Sequence, residues 1–105
     1  MLEIFAKLKS FSYYHKTEAI YITIEVIDCK LSGSVTPAEK FNTVEPGDTL
    51  SLKYIGEKTA EYLNLLDEPA LLINTDEFEP SKNPKYNDKF IVKSLRKCDI
   101  FKECL

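Results

Sequence analysis

Residues 19–29, AIYITIEVIDC, form the most strongly patterned stretch of the chain and decide its fold. Isoleucine or valine occupies every second position from 20 to 26. An alternating run that is rich in β-branched residues is typical of a strand with one buried face. The stretch therefore predicts a long β-strand that lies against a core.

The preceding segment carries the same alternation. In LEIFAKLK, residues 2–9, one face is apolar, and Phe5 interrupts the polar face. The apolar residues then move from even to odd positions, at Phe11 and Tyr13. This change of parity predicts a bend or bulge near Ser10. The polar residues 15–18, HKTE, separate the two runs, so the natural connection is an antiparallel hairpin.

The next part of the chain is irregular and leads into a third strand. SGSVTP (32–37) and EPGD (45–48) have turn chemistry, and the intervening KFNTV (40–44) is interpreted as a short extended piece. TLSLKYI (49–55) alternates again, with one face expected in water.

The spacing of the apolar residues changes once, from every second residue to about every 3.6 residues, and this change lies in the second half of the chain. EKTAEYLNLL (57–66) predicts a short helix whose docking stripe contains Thr59 or Ala60, Leu63 and Leu66. ALLIN (70–74) follows as a short strand. TDEFEPSKNPKYND (75–88) is expected to be a loop, and KFIVKSLRKCDIF (89–101) a final strand.

Length and composition bound the class of protein. A chain of 105 residues, 44% hydrophobic and 30% charged, predicts a single folded domain over residues 1–105. We expect a cytoplasmic protein, since the sequence contains neither a signal peptide nor an apolar transmembrane run. Cys29 and Cys98 are interpreted as small core residues, and Cys104 as the reactive thiol.

Charge is distributed unevenly. The net charge is −3, but the segment from Pro80 to Lys102 contains seven cations and two anions, a local balance of +5. A basic run of this kind can be a solvated strand and loop, or a protected sheet edge, as readily as a binding face.

The order of elements resembles the oligonucleotide/oligosaccharide-binding (OB) fold, in which a helix lies between the third and fourth of five strands. The predicted fold class is mainly β: a five-stranded antiparallel OB-like barrel or curved sheet with one short helix at about 57–66. An α+β roll is the alternative. Within the fold, the chain is most similar to small single-stranded DNA-binding proteins of phage or plasmid type.

The resemblance implies a ligand face between the loop joining strands one and two and the loop joining strands four and five. Aromatic rings in these loops would stack on bases, and lysines would contact phosphates. The residues expected to bind single-stranded nucleic acid are Tyr13, Tyr14, Lys16, Lys82, Lys85, Tyr86, Lys89, Lys93 and Arg96. Against this, one of the first two tyrosines can simply cap the barrel. Asp76, Glu77 and Glu79 also oppose the positive charge.

Other functions stay open on sequence alone. A small protein-interaction module, such as an inhibitor or adaptor of a replication or transcription protein, would use the same exposed rings. An enzyme is not expected, because no acid/base pair and no nucleophile with its base can be named, and neither a cofactor nor a metal site is expected. A homodimer through the last strand, which ends in the apolar DIF (99–101), or through Phe5 is a further prediction.

Overall fold

The computed structural model describes residues 1–68 and 70–98, which form five strands and two short helices. The strands are β1 (Leu2–Tyr14), β2 (Ala19–Leu31), β3 (Thr49–Tyr54), β4 (Ala70–Glu79) and β5 (Lys89–Lys97). The helices are α1 (Ala38–Asn42) and α2 (Thr59–Leu65). None of the helices in the described ranges is long and apolar enough to cross a membrane.

The strands close into a barrel in the order β1-β2-β3-β5-β4, which confirms the predicted five-stranded OB-like barrel. Four of the five strand pairs are antiparallel, as predicted. The β3–β5 pair is parallel, with Leu52 opposite Phe90 and Lys53 opposite Ile91. Only this closing contact departs from the predicted antiparallel pairing, because α2 and β4 intervene and bring β5 back alongside β3 in the same direction.

The long hairpin of β1 and β2 has the irregularity predicted from its sequence. Its register shifts between Leu8 and Ser10, where the apolar parity of β1 changes, and again between Phe5 and Ala6. Along β2, the residues of the alternating apolar face, such as Ile20 and Ile22, are almost fully buried inside the barrel. The period of two in the sequence therefore sets which side chains of β2 face the core.

Helix α2 begins and ends within the range predicted for it. Its buried residues are Thr59 and Tyr62, and Leu66 follows them into the core, whereas Ala60 is exposed and Leu63 is half-buried. The predicted stripe missed Tyr62, whose ring packs edge-on against Tyr54 with centroids 4.7 Å apart. A tyrosine ring has enough apolar area to occupy the core position despite its hydroxyl group.

Helix α1 corrects two predictions, the single helix and the extended KFNTV segment. It begins after Pro37, and its Phe41 ring is 1% exposed and packs edge-on on Phe90, with centroids 5.2 Å apart. Five residues are too few to display a helical period in sequence. One buried ring is nevertheless sufficient to dock this turn on the barrel.

Strand β4 is longer than predicted, because residues 75–79 continue it and only 80–88 form the loop. The register shifts between Asn74 and Thr75 and between Thr75 and Glu77. As a result, Thr75 and Phe78 both face inward although they are three positions apart. The bulge breaks the period of two, so the sequence of this segment did not display a strand pattern.

Three further expectations concern Phe5 and the cysteines. Phe5 is 8% exposed and packs with Ala70, Leu72 and Cys98 in a small cluster, so its ring is buried by residues of its own chain. Cys29 is half-buried, with its Sγ 3.5 Å from the carbonyl oxygen of Val44. The DIF segment at 99–101 and Cys104 lie outside the described residues. The homodimer stays a prediction.

Candidate nucleic-acid interface

A groove of about 990 Å³ lies on the outer face of β1, β2 and β3, beneath the loop that joins β4 to β5. This is the face and one of the loops that OB folds use for oligonucleotides and oligosaccharides. We call it the tyrosine groove. Its lining residues are Ser12, Tyr14, Tyr21, Lys53, Glu79, Pro80, Ser81, Lys82, Asn83, Tyr86, Asn87 and Lys89.

Cross-strand pairing places the floor of the groove. Tyr21 on β2 is opposite Ser12 on β1 and opposite Lys53 on β3. Because Ile20 and Ile22 face the core, the Tyr21 ring must point outward. A tyrosine thus lies at the centre of the face with a small hydroxyl residue on one side and an ammonium group on the other.

The loop over residues 80–88 is held by its own hydrogen bonds. The backbone N–H of Ser81 donates to Asp88 Oδ1 at 2.8 Å, and the N–H of Lys85 donates to Asn83 Oδ1 at 3.0 Å. Asn87 Nδ2 donates to Ser51 Oγ of β3 at 3.3 Å, which ties the loop to the sheet. Side-chain to backbone bonds of this type fix turns, so Lys82 and Tyr86 are presented to the groove by an ordered loop.

The Lys89 ammonium group lies between two tyrosine rings. Its Nζ is 5.7 Å from the centroid of Tyr21 and 5.9 Å from that of Tyr86, and it donates to the Asn87 carbonyl at 2.8 Å. Both ring distances fall within the range of a cation–π contact. The Tyr86 side chain is 65% exposed. Positive charge and accessible ring faces are therefore combined at one point of the groove.

An ion pair crosses the groove and reduces its positive charge. Lys53 Nζ lies 3.1 Å from Glu79 Oε1, with side-chain exposures of 19% and 52%. Three lysines and one glutamate line the groove, so its formal charge is +2. Among the described residues, Lys82 and Lys89 have no ion-pair partner. Two of the three cations are thus available to an anionic ligand without displacement of an acid.

The structure brings together four of the nine residues predicted from sequence and separates the rest. Tyr14, Lys82, Tyr86 and Lys89 line the groove, whereas Tyr13, Lys16, Lys85, Lys93 and Arg96 do not. The half-buried Tyr13 packs against the core, and its ring meets His15 edge-on at 4.9 Å.

The five outlying residues include basic side chains elsewhere on the surface. On β5, Lys93 Nζ lies 3.1 Å from Asp76 Oδ2, and Arg96 is exposed at the position opposite Leu72. Lys16 lies in the hairpin turn, and Lys85 is exposed in the loop. The basic track predicted along β5 therefore does not continue the groove beyond Lys89.

Sequence reasoning missed Tyr21 and Lys53, both of which lie within strands rather than loops. Each stands between two buried apolar neighbours, Ile20 and Ile22 for the tyrosine and Leu52 and Tyr54 for the lysine. The alternation alone indicates that both side chains point outward. An aromatic residue at an outward-facing position of a strand, as Tyr21 is on β2, was the signal that could have identified the floor of the groove.

The described residues contain no group of three or more His, Cys, Asp or Glu side chains that could hold a metal ion. Burial raises the pKa of the Cys29 thiol, with smaller contributions from the nearby carboxylates of Asp28, Asp48 and Glu45. This thiol lies outside the groove. The groove itself offers rings, amides, hydroxyls and ammonium groups, which suit the binding of planar and anionic chemical groups.

Comparison of the chain with protein-family models, with curated proteins and with solved structures found no match. Any assignment of function therefore depends on the geometry of the tyrosine groove.

Proposed function

We propose that this protein binds single-stranded nucleic acid, with little selectivity for sequence, through the tyrosine groove. The observation that carries the proposal is the position of Lys89 between the rings of Tyr21 and Tyr86 in a groove lined by two further lysines. A role in nucleic-acid metabolism in the cytoplasm, such as the DNA replication served by the phage and plasmid proteins that the element order resembles, belongs to the same proposal.

Stacking supplies the first part of the binding energy. The groove presents the rings of Tyr14, Tyr21 and Tyr86, and the first and last of these are more than half exposed. A base that stacks on an aromatic side chain contributes about 1 to 3 kcal/mol, whatever its identity. Bases within a duplex already stack on their neighbours, whereas unpaired bases are free to stack on a tyrosine ring. This site therefore favours single strands.

Charge supplies the second part. Lys82 and Lys89 lie on the same groove as the three rings, so the backbone of a strand whose bases stack there can reach ammonium groups. Phosphate contacts release counterions and make binding weaken with salt, with a slope of about −0.7 per contact for single strands. The net charge of −3 does not oppose this, because the groove itself has a local charge of +2.

The experiment is a fluorescence anisotropy titration of labelled oligothymidine and oligouridine of about twelve nucleotides, a length within the range that one OB fold covers. Wild-type protein is compared with the double variants Tyr21→Ala with Tyr86→Ala and Lys82→Ala with Lys89→Ala. Lys30→Ala is the matched control, because this exposed lysine lies near the opposite end of β2. The two oligomers separate DNA from RNA preference.

We expect both double variants to lose most of the affinity and the control to retain it. Absence of binding by the wild-type protein at low salt would overturn the proposal. Binding that survives both double substitutions would keep the ligand class and refute the tyrosine groove as its site.

One observation favours a protein partner as the second candidate. Two lysines near the predicted site are paired with acids, Lys53 with Glu79 and Lys93 with Asp76. A polar surface with internally neutralised charge and exposed tyrosines is also what a protein interface presents, with Tyr14 and Tyr86 as binding hot spots. If neither oligomer binds, affinity capture with wild-type protein and the Tyr14→Ala, Tyr86→Ala variant as the matched control tests this alternative.

A further inference from the structure

We infer that two copies of this chain associate through the free edge of β1 over residues 10–14, which pair as antiparallel strands around a two-fold axis at Ser12. Strand β1 pairs with β4 only from Leu2 to Lys7. From Ser10 to Tyr14, its strand partner in the described ranges is β2 alone. The backbone N–H and C=O groups that point away from β2 in this stretch are therefore open to another strand.

This edge has little of the protection that proteins usually give to an unpaired strand. Its sequence, SFSYY, contains neither a charged residue nor a proline, and every residue except Tyr13 is exposed. The bulge of β1 leaves Lys9 without a residue opposite it on β2, but the pairing is regular from Ser10 to Tyr14. A regular, uncharged edge with three aromatic residues favours the addition of a strand.

The position of Phe11 indicates what the added strand contains. Phe11 lies opposite Ile22 and has the parity of Tyr13, so its ring is on the inner face of the sheet, the face of the core residues. The Phe11 side chain is nevertheless 45% exposed. In an antiparallel pair centred on Ser12, Phe11 of each copy lies opposite Tyr13 of the other. Two aromatic cross-strand pairs therefore form, and each covers a ring that the monomer leaves accessible.

The stretch is also complementary to itself, as an interface with two-fold symmetry requires. Ser12 lies opposite its own copy and Ser10 lies opposite Tyr14, so hydroxyl-bearing side chains meet on the outer face. The two Lys9 residues lie at opposite ends of the pair, and each Nζ is 3.9 Å from Glu25 Oε1 of its own chain. The pairing therefore brings no two like charges opposite each other. Neither homodimer surface predicted from the sequence contains this edge.

The dimer joins the two tyrosine grooves, and this consequence depends on the proposed function. Ser12 and Tyr14 line the groove from β1. A two-fold axis between antiparallel edge strands runs perpendicular to the sheet, so the outer faces of both copies point to the same side. A nucleic-acid strand longer than one groove can therefore contact the rings and lysines of both copies.

Sedimentation equilibrium from about 1 μM to about 1 mM, across which weak dimers form, measures the association. We expect the 12.1 kDa chain to dimerise. Phe11→Lys removes both ring pairs and should raise the dissociation constant about tenfold. Ser12→Glu, which places two carboxylates opposite each other on the axis, should do the same, whereas Phe11→Tyr should dimerise as the wild-type protein does. Ile27→Lys is the matched control, because Ile27 is an exposed apolar residue of β2 outside this edge.

Hydrogen exchange locates the interface. The amides of residues 10–14 that point away from β2 should exchange more slowly as the fraction of dimer rises. A chain that stays monomeric up to about 1 mM, or a dimer that both charged variants leave intact, would refute the interface. Slow exchange of these amides in the monomer would also refute it, because the edge would then be covered within the chain.

Oligothymidines of about twelve and about twenty-four nucleotides test the joined grooves. At concentrations where the protein is dimeric, we expect the longer oligomer to bind about tenfold more tightly or better. Phe11→Lys should lose this gain and bind the shorter oligomer as the wild-type protein does, because Phe11 lies outside the tyrosine groove. An equal gain in the variant would refute the joined grooves. If the wild-type dimer binds neither oligomer, the proposed function fails while the dimer interface stands.

Discussion

Lys53 and Glu79 form an ion pair across the tyrosine groove, with Nζ and Oε1 3.1 Å apart. The pair joins β3 to the end of β4, and Glu79 is also the register partner of Lys89. A phosphate that approaches Lys53 must compete with this carboxylate. Glu79 therefore limits the affinity of the groove for anions.

Neutralising this acid should strengthen binding. In Glu79→Gln, Lys53 becomes a third available cation beside Lys82 and Lys89, so we expect the salt slope to steepen from about −1.4 to about −2.1. An exposed ion pair is worth at most about 1 kcal/mol, so the gain in affinity should reach about fivefold at low salt. Anisotropy titrations at several salt concentrations measure both. Weaker binding by the variant would show that Glu79 contacts the ligand favourably.

If the groove binds phosphates as proposed, removing one of its lysines should act selectively. Lys82→Ala should flatten the salt slope by about 0.7, because one phosphate contact is lost. Lys93→Ala should leave the slope unchanged, since its ammonium group is paired with Asp76 and lies outside the groove. The same titrations compare the two variants. Equal effects of both substitutions would contradict the position of the site and favour the basic track along β5 that the sequence predicted.

Removing a ring should cost affinity without costing stability. Tyr86→Ala deletes a side chain that is 65% exposed, so the free energy of unfolding should change by less than about 0.5 kcal/mol. The loss of one stacking platform should weaken binding by about 1 to 3 kcal/mol. Tyr86→Phe, which keeps the ring, is the control and should bind as the wild-type protein does. Chemical denaturation and anisotropy together check this prediction.

The docking of helix α1, which was not predicted from the sequence, can also be tested. Phe41 of α1 is 1% exposed and packs on Phe90, so Phe41→Ala should lower the free energy of unfolding by about 3 to 5 kcal/mol. Thr43→Ala is a nearby control, because Thr43 is exposed at the end of the same helix. Urea denaturation measures both. A cost below about 1 kcal/mol for Phe41→Ala would show that α1 does not dock on the barrel as described.

Much of the barrel could be predicted from the sequence, since the alternation along residues 2–9, 19–29 and 49–55 sets both the strands and their buried faces. The same alternation contains the floor of the site, because Tyr21 stands between Ile20 and Ile22. The extension of β4 could not be predicted, since the bulge near Thr75 and Glu77 removes the period of two on which such predictions depend.

Which lysines reach the groove also could not be predicted. Lys89 and Lys93 lie on one strand and look equivalent in sequence, yet the first contacts two tyrosine rings and the second pairs with Asp76. Lys89 lies at the loop end of β5, opposite Glu79, whereas Lys93 lies at the register shift between Val92, opposite Thr75, and Ser94, opposite Asn74. Charge composition identified the basic segment but not the members of it that face the groove.

Photo-cross-linking followed by peptide mapping tests the central claim most directly. Oligothymidine of about twelve nucleotides carrying photoreactive bases is irradiated with the wild-type protein at low salt, and the attached residues are identified by mass spectrometry. We predict attachment at Tyr14, Tyr21 or Tyr86, the three rings that line the groove. Attachment only to β5 beyond Lys89, or no attachment at any concentration, would contradict the claim that this groove binds single-stranded nucleic acid.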